Sequence, residues 1–517
     1  MTKPFARLNR RQLMLGTAAA ALIASAPLAI AQDAAPTHGG VLQYATLGLD
    51  TSDPHRHTGS IAVQQLYAEA LTSIGPDGRV EPFLAKSWDV SDDGKTYTFH
   101  LRDGVTFHNG DTMSADDVVA NIERVRTNVT GGWLASAMKL VKDVKATDAR
   151  TVEVSMSEPY APFVNLMSEL WILSPKSDGW DETIVTPIGT GPFTFGEWTP
   201  QVRLTAPAFA DYWRGEKLPY LAAVEVNLRE DIDKASALRA GDVHIANVTN
   251  DVARRLAESP DFRVAPLKDS TWYFMSFNNR NPQPPFDNPK VREALMHAVD
   301  KGAFMNFLAP GTGVVTNQMV MPGHVYFDET IHDADAHKSA DLEKARALLA
   351  EAGVDPAATT IELVSWQENY PQVVVQMLRQ LGFKIEHAAL DDLGAQNRLG
   401  QFDWDVAVMA SGPRADLFLR FVRLMSDGPN PVLWGGIQDE ELDAIIKAAV
   451  GETDEAKRKD LYTEAFQRVM DKKYFMVLGH AANTIAMRTE VQGYEPGFTW
   501  SPNWVSGGIA QTHLVAD

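Results

Sequence analysis

The sequence predicts a mixed α/β protein built around a parallel sheet. Three observations carry this. Short runs rich in β-branched residues, "TVEVSM" (151–156), "AAVEVNL" (222–228), "TIELVSW" (360–366) and "WDVAVMA" (404–410), read as strands. "KVREALMHAVDKGAFMNFL" (290–308) and "YPQVVVQMLRQLG" (370–382) space their apolar residues as helices do. The succession of strand 360–366, helix 370–382 and a further strand, "FKIEHAAL", from Phe383 makes a βαβ unit, whose two strands run parallel. At 517 residues and 45% hydrophobic, the chain has ample material for a large core, and its length corresponds to about three domains.

From the N-terminus, Arg10 and Arg11 precede an uncharged stretch from Leu13 to Ala31 that closes on Ala29-Ile30-Ala31. This pattern is expected of a twin-arginine export signal cut before Gln32, because a small-residue end followed by the polar "QDAAPTHGG" fits removal better than a membrane span. The expected location is the periplasm. No cysteine occurs, so a lipid anchor, a disulfide framework and a thiolate metal site have no residue to form them. The formal net charge is −20, and losing a leader that carries Lys3, Arg7, Arg10 and Arg11 makes the remainder more acidic still. Such a surface repels nucleic acid and anionic membranes.

The next informative stretch is "DGKTYTFHLRDGVTFHNGDTMSADDVV", residues 93–119. Its Gly-Lys-Thr is not a phosphate loop, since the position five before Gly94 is Asp89 and neighbouring carboxylates would repel the ligand. Instead Tyr97, Phe99 and Leu101 alternate with Thr96, Thr98, His100 and Arg102, as in a half-buried strand. Asp103-Gly104 supplies a turn, Val105 to Phe107 a short return strand, and Asn109-Gly110 another turn. Ser114 then caps a helix whose Val118, Ile122 and Val125 share one face and whose Asp116 and Asp117 suit its positive end. Two Pro/Gly-rich stretches, "TPIGTGPF" (186–193) and "NRNPQPPFDNP" (279–289), are candidate crossings between lobes.

Catalytic arrangements are hard to assemble. His55-Arg56-His57 has the H-x-H spacing of metal-dependent amidohydrolases, yet the further ligands such an enzyme needs are not evident in the contexts of His108, His244, His324 and His332. No G-x-S-x-G occurs, "GTGVVT" (311–316) has no lysine after it, and Asp391 and Asp392 are adjacent and point apart. Neither catalytic residues, metal ligands nor a cofactor are therefore expected.

"VEPFLAKSWDVSDDGKTYTFHLRDGVTFHNGDTMSADDVV" resembles the signature region of the extracellular solute-binding proteins of the peptide and nickel class, the receptors of ABC importers. "TPIGTGPFTFGEW", "DYWRGEKLPYLAAVEV", "FNNRNPQPPFDNPKVREALMHAVDK" and "KARALLAEAG" follow in the family order, over nearly the whole chain beyond the leader. The resemblance implies two lobes that close by a hinge, with an extra small domain: lobe I from 33–74, 187–269 and 486–517, the inserted domain from 75–186, and lobe II from 270–485. It also implies a monomer that captures a small solute, a short peptide before all, and delivers it to a membrane permease with its ATPase. Metal chelates, glycosides and organic acids or opines are the alternatives within the class.

Binding needs a cleft with aromatic walls and a few placed polar groups. Trp366 ends a predicted strand, and strand ends border the cleft in open α/β sheets. Similar proteins run main-chain contacts along the ligand near Trp272 and Tyr273. In peptide-binding relatives the loop matching "ASGPRADLFLRF" carries an Asp-Pro whose carboxylate meets the ligand's ammonium; Asp416 falls there, with Leu417 in place of proline and with Gly412 and Arg414 just before it. Three outcomes are open: Asp416 meets an amine, Arg414 neutralises it and the loop receives an anion, or the two form an ion pair without a ligand role.

Overall fold

Three of the four β-branched runs, all but 151–156, join one ten-stranded sheet: β1 (Val41–Ala45), β2 (Trp198–Thr199), β3 (Arg203–Pro207), β4 (Ala223–Asn227), β5 (Ile245–Val248), β6 (Phe262–Phe277), β7 (Thr360–Trp366), β8 (Lys384–Leu390), β9 (Val406–Ser411) and β10 (Phe475–Arg488). Their spatial order is β2-β3-β4-β1-β5-β10-β6-β9-β7-β8. The structure is a computed structural model that describes residues 36–515 except 47, 57–60, 76, 130–131, 216, 230, 429–430, 498–501 and 506. The expected leader, its cleavage point before Gln32 and His57 therefore lie outside the described residues.

The two central strands explain the two-lobed architecture. β6 pairs antiparallel with β10 in two blocks, Phe262–Pro266 against Thr484–Arg488 and Ser270–Ser276 against Phe475–Ala482, with an irregularity between Pro266 and Ser270. β5 joins β10 only along Thr484–Met487, and β9 joins β6 only along Trp272–Phe277. One half of the sheet thus hangs on the first block and the other half on the second. The chain changes halves within these strands, so "NRNPQPPFDNP" is not itself the crossing: it follows β6 and leads onward to the next helix.

A separate antiparallel sheet takes Ala85–Val90, Thr96–Leu101, Thr151–Met156 and Val141–Asp148 in that order. Tyr97, Phe99 and Leu101 are buried in alternation, as the sequence requires. The return strand expected at 105–107 reduces to one bridge, Thr106 to Thr112. Gly104, at φ +75°, turns the chain away, and Val105 and Phe107 send their side chains into the core while their backbone bonds to Met113 and Asp111 rather than to the preceding strand. Helix α1 (Ala115–Asn128) begins where the Asp117 carboxylate accepts the Ser114 N–H at 2.8 Å, and Val118, Ile122 and Val125 are buried.

In the other half, the helix expected over 290–308 is two: α2 (Pro289–Ala298) and α3 (Lys301–Leu308). The Asp300 carboxylate accepts the Ala303 N–H at 2.8 Å and starts a fresh helix there. Helix α4 (Leu342–Glu351) packs on α2, and α5 (Pro371–Arg379) crosses from β7 to β8, which pair in parallel from Thr360–Lys384 to Trp366–Leu390. The expected βαβ unit is present as such. Helix α6 (Glu455–Lys472) precedes β10. Among the described residues no helix is long and apolar enough to cross a membrane.

Candidate functional site

Sheet pairing brings the predicted binding segments to one edge. β9 is buried along its length and releases the chain at Ser411 into the 412–416 loop. Its parallel neighbour β7 ends at Trp366, and antiparallel β6 places Trp272 opposite Ser411. Across from them, Asn165 donates its side-chain N–H to the Ala415 carbonyl at 3.1 Å. Ala415 also borders a small pocket, open to solvent, whose other walls include Gln65, Glu69, Ser73, Glu169, Trp171 and Asn503.

The two acids of that pocket differ. Glu69 is fully buried, and its carboxylate accepts from Tyr212 Oη (2.6 Å), Trp213 Nε1 (2.7 Å), Thr190 Oγ1 (3.0 Å) and Asn503 Nδ2 (3.1 Å). With four donors on two oxygens it is a fixed wall. Glu169 is partly buried, and desolvation pushes its carboxyl up to about 7 while the Arg414 guanidinium and the Ala415 backbone N–H oppose the rise.

The loop side is cationic. Arg414 is partly buried and donates to its neighbour's Pro413 carbonyl at 2.8 Å. Arg420 donates to the Met319 carbonyl. Burial, followed by the charges of Arg414 and Arg420, lowers Arg423 to about 10. Arg414 and Arg420 thus both stand close enough to Arg423 to repel it.

The predicted site residues separate into two groups. Tyr273, Trp366, Gly412 and Arg414 keep partial exposure. Tyr273 packs edge-on against Tyr370 with centroids 5.0 Å apart. Trp272 is a core residue in this structure: it is 0% exposed and stacks on Phe274 (4.6 Å) and Trp434 (5.0 Å). A central strand covered on both faces buries even the residue that register places beside the loop.

Asp416 meets neither a surface ion pair nor Arg414. It is buried, and its Oδ1 accepts from Arg458 Nη2 on α6 at 2.8 Å and from the Phe418 N–H at 2.7 Å. Arg458 also donates to Tyr462 Oη (2.9 Å) and Tyr326 Oη (3.1 Å). Burial alone would depress this arginine, but Asp416 and the two tyrosines hold it above its ordinary value. Only Oδ2 of Asp416, itself buried, is left without a partner among the described residues.

His55 offers no lone pair to a metal, because Nε2 lies 2.8 Å from the Trp171 carbonyl and Nδ1 2.8 Å from Arg124 Nη1. Asp53 is buried too, gripped by Arg124 at 2.6 and 3.1 Å, so this segment anchors the fold. The amidohydrolase alternative therefore loses its leading ligand. The proximity of Glu169, Arg423 and Arg458 to the 412–416 loop was not visible in the sequence, where nothing links Glu169 to a loop that far along the chain.

Comparison with known proteins agrees with this architecture. Residues 79–430 match the family described as "Bacterial extracellular solute-binding proteins, family 5 Middle". The dipeptide-binding protein of Escherichia coli (strain K12) is 27% identical over 462 residues, which cover 80% of this chain and 83% of that protein. The ABC transporter-associated periplasmic binding protein DppA from Helicobacter pylori, solved with the peptide STSA, superposes with a TM-score of 0.74 at 22% identity, covering 92% of this chain and 98% of its own. AgaA from A. tumefacien R10, solved with agropinic acid, gives 0.73 at 25% identity, covering 92% and 99%. A match through the inserted sheet, both halves of the ten-stranded sheet and the 412–416 loop means that this chain belongs to the bacterial extracellular solute-binding proteins of family 5.

Proposed function

We propose that this protein is the periplasmic receptor of an ABC importer, capturing short peptides between its lobes and presenting them to the permease and ATPase. It is a binding protein without catalysis, exported by its twin-arginine leader and working as a freely diffusing monomer. Lobe I comprises 33–74, 187–269 and 486–517, the inserted domain 75–186 and lobe II 270–485, with the β6–β10 crossing as hinge. The observation that supports this best is that the 412–416 loop, through Ala415, lines one pocket together with Gln65, Glu69 and Trp171 of the opposite side and with Glu169, so that a solute there touches both walls. Closure follows from a ligand touching both walls, and a peptide backbone gives such contacts whatever its side chains.

A second reading, an acid rich in carboxylates, is favoured by one specific observation: Arg458 already neutralises Asp416, whereas Arg414, Arg420 and Arg423 crowd the loop with positive charge. Native mass spectrometry of protein taken from its periplasm, followed by identification of the released molecule, separates the two. Co-purified peptides support the first reading; a non-peptide acid moves the assignment to the second; binding of neither kind of molecule removes both.

Burial raises the Glu169 carboxyl and Arg414 stands close enough to lower it, and two opposite charges beside one pocket suit a zwitterion. If the ligand's ammonium lies at Glu169, affinity rises with pH through about 7, because only the ionised carboxylate attracts it. The ligand-free protein has the opposite slope. Its Glu169 pKa lies above the ordinary 4.5, so the stability held below that range is lost as pH rises towards the folded value. Calorimetric titrations at about pH 5.5 and 8 check this; affinity independent of pH removes Glu169 from the ammonium site.

A further inference from the structure

A second cluster lies on α2, apart from the pocket just described. Glu293 and His297 are four residues apart and project from one helix face. His337, in the segment before α4, is folded onto that face, with its ring centroid 4.4 Å from that of His297. One donor atom from each of the three residues lies within 4.8 Å of the other two. The Asp341 N–H donates to the His297 carbonyl at 2.7 Å and fixes the segment there.

The hydrogen bonding of this cluster is incomplete in an informative way. His297 is only 2% exposed, yet neither of its ring nitrogens has a hydrogen-bond partner, and Nε2 of His337 is buried without one as well. Buried polar atoms are almost always bonded, so imidazole lone pairs facing a carboxylate across a gap of this size call for an electron-pair acceptor. Lys344 and Lys473 oppose positive charge near His297, while Glu293 and Asp341 favour it.

We propose that Glu293, His297 and His337 form a binding site for one divalent transition-metal ion of the zinc type. Two imidazoles and one carboxylate suit zinc, nickel or copper, whereas calcium and magnesium require oxygen ligands. Metal–ligand bonds of about 2.0–2.2 Å put donors roughly 3–3.5 Å apart, so side-chain rotation of about 1 Å completes the set. Three protein ligands leave a fourth position for water. The ion joins α2 to the segment that starts α4, and so closes the chain between residues 297 and 337.

The test uses the full-length protein without a histidine tag, stripped with chelator and titrated with zinc chloride by calorimetry and thermal unfolding, and with cobalt chloride by visible absorption. The expected result is one ion per chain, a raised Tm and a cobalt d–d band. His337→Ala and Glu293→Gln each weaken binding by at least the roughly tenfold to hundredfold that losing even an outer partner costs a metal site. Both positions are partly exposed, and an unchanged Tm in the absence of metal shows that the variants fold. Absence of stoichiometric zinc binding in the native sequence overturns the proposal, as does binding of equal strength in both variants. Because the solute is not used, either result leaves the receptor assignment untouched.

Discussion

Asp416→Ala is expected to lower the unfolding free energy of the ligand-free protein by about 3–5 kcal/mol, the cost of stranding a buried charge. The charge is Arg458, whose guanidinium is held by Asp416 Oδ1 at 2.8 Å within a cage of Tyr326 and Tyr462. Removing the carboxylate leaves the tyrosine hydroxyls, which are neutral and cannot balance it. Asp416→Ala combined with Arg458→Met should regain most of the loss, since an apolar pair of similar volume needs no desolvated charge. Urea unfolding without ligand measures both. If stability is retained while peptide affinity falls, Asp416 acts on ligand through Oδ2 and its pairing with Arg458 is incidental.

Arg414→Ala should weaken a ligand bearing a carboxylate by about 2–5 kcal/mol, roughly thirtyfold to several thousandfold in Kd. The magnitude rests on partial burial and on the repulsion between Arg414 and Arg423, which an incoming anion relieves. Arg414→Lys should recover little, because a point charge lacks the planar fork that matches a carboxylate. Arg423→Ala should cost less than Arg414→Ala and mainly remove a repelling neighbour. Calorimetry with the molecule identified from the native protein is the measurement, and unchanged affinity in Arg414→Ala takes this residue out of the site.

Periodicity made much of the fold legible. The strands at 151–156 and 360–366, the helix after Tyr370 and the strand after Phe383 fall where alternation and helical spacing put them. Other features were hidden for identifiable reasons. β10 carries Gly479, Ala481 and Ala482, too small to read as a strand, because neighbours press on both of its faces; a Cβ on Gly479 would meet the Val314 carbonyl oxygen at 2.5 Å. The break at Asp300 was masked by apolar spacing that continues across it. At the site, the loop and Arg414 could be located from the family pattern, but the partner of Asp416 could not. Arg458 lies on another helix, and no local spacing connects it to the loop. Glu169 was hidden for the same reason, and Trp272 because a strand covered on both faces gives no sign of which residues reach the edge.

β10 is the sixth strand across the sheet but the last of the ten to be synthesised. Its pairing with β6 closes contacts such as Ser270 with His480, 210 residues apart in the chain. A growing chain that stops short of residue 475 exposes unpaired edges on β5 and β6 together, and open edges invite other chains to pair with them. Both lobes therefore reach their final form only after nearly the whole polypeptide has been made. Pairing at such sequence separation is expected to close late, and shielding of the open edges until then should favour correct folding.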